Sequence, residues 1–183
     1  MNLTMYKFAA ASEHESIVFG ACRPGYSNVQ IRTWIQFMKT QEMQRICCLL
    51  AEDQLARYPN LLDFYQREFG GENVCWAAIA DFEICDPATL QNKILPFLTA
   101  SDQRQQKTVV HCSGGIGRTG HVLAAWLIFG RGLSRQAAIR AVQQTGRNPY
   151  EAVIVAPLRG KNPFQVLAKL HQLYEKPEVD PLK

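Results

Sequence analysis

The sequence predicts an α/β class domain with a central, mostly parallel twisted sheet flanked by helices. Three observations predict it. Short apolar runs of strand length alternate with longer stretches of helical period along the chain. Turn formers and helix caps fall between them. The length, 183 residues, suits one well-packed domain and is short for two. Residues 1–183 are therefore read as a single domain. Its end from about residue 177 to 183, charged and interrupted by proline, is read as a frayed tail.

In chain order, residues 16–20 (SIVFG) form the first strand candidate, followed by the turn-rich ACRPGYS. Residues 28–41 place Ile31, Trp34, Ile35 and Met38 on one helical face, with Asn28 as cap. Residues 45–51 (RICCLLA) read as a buried strand, and 60–71 as a helix closed by glycine. Residues 74–81 (VCWAAIAD) are strand-like again, and 86–99 a helix that starts at Asp86-Pro87. The strand 107–112 (KTVVHC) runs into a glycine-rich turn and a helix over 118–132. A helix over 134–146 has Ser134 as cap and Gly146 as stop. The last, 162–176, has Asn162 as cap and Pro163 in its first turn.

Composition narrows the function classes. Hydrophobic residues make up 47% and charged residues 20%, as in an ordinary globule. No apolar run nears the ~18 residues of a membrane span. The first sixteen residues lack a cationic flank followed by an apolar core, so a cytoplasmic protein with no membrane partner is expected. A net charge of +4 suits an anionic ligand and is too small to call for nucleic acid. A monomer is expected. Six cysteines (Cys22, Cys47, Cys48, Cys75, Cys85, Cys112) contain no C-x-x-C pair, and the four histidines show no ligand spacing. No disulfide framework, metal or cofactor is expected. The five cysteines other than Cys112 are expected to pack as small hydrophobes. Whether Cys47, Cys48 or Cys85 shields an oxidised Cys112 is open.

The stretch that carries chemistry is TVVHCSGGIGRTGHV, residues 108–122. A strand delivers Cys112. Ser113, Gly114, Gly115, Ile116 and Gly117 follow, and Arg118 opens a helix. A glycine-rich turn can aim several backbone N–H groups inward as an anion nest. The helix N-terminus adds free N–H groups and about half a positive charge. Arg118 can close the ring with a planar fork onto two phosphate oxygens. Helix N-termini and nearby cations also favour thiolate over thiol, so Cys112 is expected to be an ionised nucleophile. Thr119 offers a hydroxyl expected to reach the sulfur. His111 is expected to brace the loop through backbone hydrogen bonds.

The pattern H-C-x5-R-T, with the glycines and the flanking strand and helix, resembles the cysteine-dependent protein tyrosine phosphatase superfamily. The chain length and the segments YPNLLDFYQREFG and IAD are similar to its small dual-specificity branch, of the kinase-associated phosphatase type. The resemblance implies a phosphatase that works through a phosphocysteine on a phosphorylated protein or peptide. It also implies an aspartate, some thirty residues before the cysteine, as general acid. Asp81 lies 31 residues upstream, at the end of an apolar run, and is the preferred candidate. Glu83 and Asp86 are rivals, although Asp86 before a proline also suits a helix cap.

The loop SGGIG looks closer to tyrosine-specific enzymes than to many dual-specificity ones. Phosphotyrosine, with phosphoserine and phosphothreonine as further monoesters, is the expected substrate class. Alternatives are a phosphoinositide phosphatase, which would place lysines in the loop where none occur, an RNA 5′-phosphatase, or a non-catalytic phosphate-binding module. Arg23, Tyr26, Arg147 and Tyr150, on turns at the same sheet edge, are candidate contacts for a phosphopeptide.

Overall fold

A computed structural model of the protein describes residues 5–175. The expected tail at 177–183 lies outside the described residues. Five strands, β1 (Ala9–Ala10), β2 (Val18–Cys22), β3 (Arg45–Cys48), β4 (Val74–Trp76) and β5 (Thr108–Cys112), form one sheet in the order β1-β2-β5-β3-β4. β2, β5, β3 and β4 are parallel, and β1 is antiparallel on the outer side of β2. The α/β class with a mostly parallel sheet is as expected from the alternating pattern.

β5 occupies the centre, and all five of its residues are buried. Two parallel neighbours explain why TVVHC is apolar without alternation. Its register sets Cys112 opposite Cys22 on β2, and His111 opposite Cys48 on β3.

Helix α1 (Asn28–Thr40) and helix α3 (Leu61–Phe69) cover one face, where Ile31, Trp34, Met38 and Tyr65 pack on Ile46, Cys48 and Val109. Between them, α2 (Glu52–Leu55) is a single turn. The other face carries α4 (Pro87–Thr89), α5 (Leu95–Gln103), α6 (Gly117–Phe129), α7 (Arg135–Gln144) and α9 (Pro163–Leu173). The short α8 (Glu151–Val155) packs on α9 through Ala152 and Val166. Every residue of α6 from Gly117 to Ile128 is buried, which makes it the central helix of that layer. No helix among the described residues is long and apolar enough to cross a membrane.

Several boundaries differ from the sequence reading for local reasons. The cap of α1 is Ser27, not Asn28. Its Oγ accepts from Gln30 N at 3.2 Å, while the Gln30 side chain reaches back to Ser27 N, a complete capping box. β4 ends at Trp76 because the chain then arches over the ends of its neighbours, with Ala77 N bonded to Cys48 O and Ile79 N to Leu49 O. The helix expected to end near residue 99 runs on to Gln103 and contains a wide π turn over Leu90–Ile94. Pro96 follows that turn and has no N–H to donate four residues back, so the ladder loosens ahead of it. β1, two residues long, gave no readable pattern.

Candidate active site

All four parallel strands point their carboxyl ends at one edge, where ligand sites of such sheets lie. Cys112 is the last residue of β5, and α6 begins five residues later. The turn between them, Ser113–Ile116, folds back so that Gly115 N donates to Cys112 Sγ at 3.3 Å. Gly115 has φ +69°, a left-handed conformation. A Cβ there would lie 2.6 Å from the backbone of Ala21 and Cys22, so only glycine fits. Arg23 N to Ser113 O (3.3 Å) and Asn148 N to Ile116 O (3.4 Å) fasten the turn on both sides. Cys112 is 2% exposed.

Arg118 lies in the first turn of α6 with its side chain 3% exposed. Nη1 donates to Gln54 Oε1 at 2.7 Å and to Ile79 O at 2.9 Å, and Nη2 donates to Asp81 Oδ1 at 2.7 Å. The structure thus brings together Cys112, the turn 113–117 and Arg118 from one stretch of the chain with Asp81 from another. Asp81 keeps 46% of its side chain exposed, at the mouth of the site. Its two rivals are engaged elsewhere. Asp86 Oδ2 caps α4 by accepting from Thr89 N at 2.8 Å, and Glu83 pairs with Lys161.

A family described as Tc-R-P, polymorphic toxin system, DSP-PTPase phosphatase, matches residues 19–132, more than half of the chain. The chain belongs to this phosphatase family. The human protein cyclin-dependent kinase inhibitor 3 is 30% identical over 151 residues, 81% of this chain, and the chain spans 63% of that relative's length. Among solved structures, Tk-PTP in its active form superposes with a TM-score of 0.68 at 22% identity, covering 92% of this chain and 99% of that one. Kinase associated phosphatase, with its catalytic cysteine replaced by serine, gives 0.65 at 24% identity, over 86% and 84%. At such identities these two establish the fold. The resemblance to small dual-specificity phosphatases, read from the chain length and the segments around Tyr58 and Asp81, holds.

Within this phosphatase fold, other expected residues differ in part from the sequence reading. His111 is bonded through its backbone, where Leu49 N donates to His111 O at 2.8 Å, and also through its ring. Its Nε2 meets Tyr65 Oη at 3.2 Å, and the ring packs edge-on to Trp34 and Tyr65. Burial, with the Arg118 and Arg23 charges adding to it, pushes its pKa down to about 3, so it is neutral at pH 7. Thr119 does not make the expected contact with the sulfur, because its Oγ1 is buried without a hydrogen-bond partner. Arg147 is no peptide contact. It is 3% exposed and donates through Nη2 to Lys7 O and Gly20 O.

Arg23 does line the rim. Its Nε lies 3.4 Å from Ser113 Oγ, Nη1 donates to Tyr58 Oη at 3.0 Å, and its guanidinium stacks 4.0 Å from the Tyr26 ring. Tyr26 is 37% exposed and Tyr150 half-buried.

Gln54 went unrecognised in the sequence. It sits on the unpredicted helix α2, and no local pattern links it to a residue 64 positions away. The six cysteines are all free. Burial holds Cys48 and Cys85 as thiols, with pKa values pushed up to about 12. None of Cys47, Cys48 and Cys85 is the cross-strand partner of Cys112, which is Cys22. Among the described residues no group of His, Cys, Asp and Glu could hold a metal ion.

Proposed function

We propose that the protein is a cysteine-dependent phosphatase that hydrolyses phosphotyrosine, and phosphoserine or phosphothreonine, on a protein or peptide. The observation that carries this reading is the convergence of Cys112, the inward N–H of Gly115 and the Arg118–Asp81 pair at one sheet edge. Cys112, as thiolate, attacks phosphorus in line and forms the S–P bond as the P–O bond to the leaving group breaks. Backbone N–H groups of residues 113–117 and the Arg118 guanidinium hold the equatorial oxygens, where the charge of the transition state resides.

Asp81 donates a proton to the departing oxygen and then, as carboxylate, takes one from the water that cleaves the phosphocysteine. Arg118 Nη2, which Asp81 engages, is also the group that a phosphate oxygen would take. Substrate binding then exchanges the carboxylate for the phosphate, and Asp81, released from Arg118, takes a proton from solvent and stands as the acid at the leaving group. Arginine and amides supply all the positive charge, so the reaction is expected to run without metal.

Turnover of a chromogenic aryl phosphate in chelator, blocked by vanadate, tests the reading. Cys112→Ser is expected to abolish turnover and keep oxyanion binding. Asp81→Asn is expected to slow hydrolysis by about 10²–10⁴-fold with a poor leaving group and much less with a good one. Turnover by Cys112→Ser at the wild-type rate would refute the nucleophile, and equal losses on both leaving groups would refute the acid.

A further inference from the structure

Arg147 lies in the turn between α7 and α8, where glycine, asparagine and proline suggest an exposed loop, yet it is buried to 3%. Room has been made for it. A Cβ on Gly20 of β2 would stand 2.9 Å from Arg147 Nε, and one on Gly120 of α6 would stand 3.2 Å from Arg147 Cβ. The guanidinium therefore lies against the middle of β2, and its stem against the first turn of α6. Its neighbour Asn148 bonds to Ile116 O in the phosphate loop.

Arg147 Nη2 has two carbonyl acceptors, at 2.6 and 2.7 Å, but Nε has no partner. None of the ion pairs among the described residues includes Arg147. A buried cation without a counter-charge costs several kcal/mol. The groups in its vicinity able to carry negative charge are sulfurs. Gly20, its acceptor, is two residues before Cys22 on the same face of β2, and Cys22 is the cross-strand partner of Cys112. The register therefore sets both cysteines on the sheet face that Arg147 packs against at Gly20.

We propose that Arg147 is the buried counter-charge of the Cys112 sulfur, a positioning residue that keeps the nucleophile anionic. The inference rests on the reading of Cys112 as nucleophile and adds a second cation to Arg118. The other charges that face the site are weaker sources of the same field. Arg118 is already paired with Asp81, Arg23 stacks on Tyr26 at the rim, and Lys7 is exposed. His111 is neutral, and the Cys22 and Cys48 thiols have raised pKa values. Glu151 of α8, which stands against Gly117, opposes the field. Of the cations that face the site, Arg147 alone is buried without a carboxylate partner among the described residues, so solvent screens it least.

The test uses Arg147→Met and Arg147→Lys in the full chain, with thermal melts to establish folding. The readouts are the rate of Cys112 alkylation by iodoacetamide from pH 5 to 8, and kcat/KM for an aryl phosphate over the same range. Arg147→Met is expected to slow alkylation at pH 6 about tenfold and to move the acidic limb of kcat/KM to higher pH. Arg147→Lys is expected to restore both profiles. Should the methionine variant not fold, Gly20→Ala, which displaces the guanidinium, is expected to move both in the same direction by less. A folded variant whose alkylation profile superposes on the wild type would overturn the proposal and make Arg147 a purely structural tie. A wild-type enzyme that needs no Cys112 for turnover would instead overturn the reading of the site itself.

Discussion

At the scale of single residues, the site depends on a few positions with no tolerance for substitution. Gly115 combines a positive φ with backbone 2.6 Å from where a Cβ would stand. Gly115→Ala forces the turn off Ala21 and withdraws the N–H that meets Cys112 Sγ. We expect kcat/KM to fall by about 10²-fold, as for other small displacements of reacting groups, with a modest drop in Tm. Steady-state kinetics beside a melt check this, and unchanged kinetics would show that the turn has other routes to its geometry.

Gln54 holds Arg118 without neutralising it, since an amide carries no charge. Gln54→Ala is expected to raise KM severalfold, by the loss of about 1 kcal/mol of hydrogen bonding, with kcat changed less. Cys112, its spacing to Arg118 and the distance back to Asp81 were all legible in the sequence, because one loop and one strand end define them. Gln54 and Arg147 were not. Each reaches the site through a partner far along the chain, 64 and 127 residues away, and local composition points the wrong way for a buried arginine in a turn.

At the scale of elements, helix caps separate stability from chemistry. Asp86 and Asp81 are five residues apart, yet one caps α4 and the other meets Arg118. Asp86→Ala is expected to cost about 1 kcal/mol of stability and to leave the leaving-group dependence of turnover intact, the reverse of Asp81→Asn. Urea melts and kinetics on both variants test the division of labour. The caps at Ser134 and Asn162 were readable because their oxygens bond N–H groups two or three residues on. The true ends of β3 and β4 were not. There, pairing with a neighbouring strand stops while the apolar run continues into the arch that carries Ile79 and Asp81. Pattern alone reports burial, and it cannot tell a buried strand from a buried arch.

At the scale of the whole molecule, buried ionisable groups set the response to acid. His111 and His121 are both pushed by burial to a pKa of about 3, and His121 Nε2 accepts from Cys85 N, which requires the neutral ring. The unfolded chain protonates these histidines near pH 6.5, and the folded chain does not. Below that pH the unfolded state binds more protons, so stability is whole at neutral pH and drains as pH falls toward 3. With both rings counted, the slope reaches about 2.7 kcal/mol per pH unit.

Glu15 acts lower on the scale. Burial raises its pKa, but Arg131, Ile17 N and Trp126 Nε1 together outweigh burial and lower it. Its stabilisation is present above the ordinary carboxylate range and is lost as pH falls through the lowered value. Urea midpoints at pH 7, 6 and 5 are expected to fall steadily, with His121→Gln showing about half the slope. A flat series would mean that the rings find partners on protonation.

The central claim, that the Cys112 sulfur itself receives the phosphoryl group, is open to one direct measurement. The protein is mixed with an aryl phosphate, quenched in acid within the first turnovers, digested, and its peptides are weighed. The account predicts one phosphoryl group on the peptide that carries Cys112, more of it in Asp81→Asn, and none in Cys112→Ser. A phosphoryl group on any other residue, or turnover with no phosphoprotein at any quench time, would contradict it.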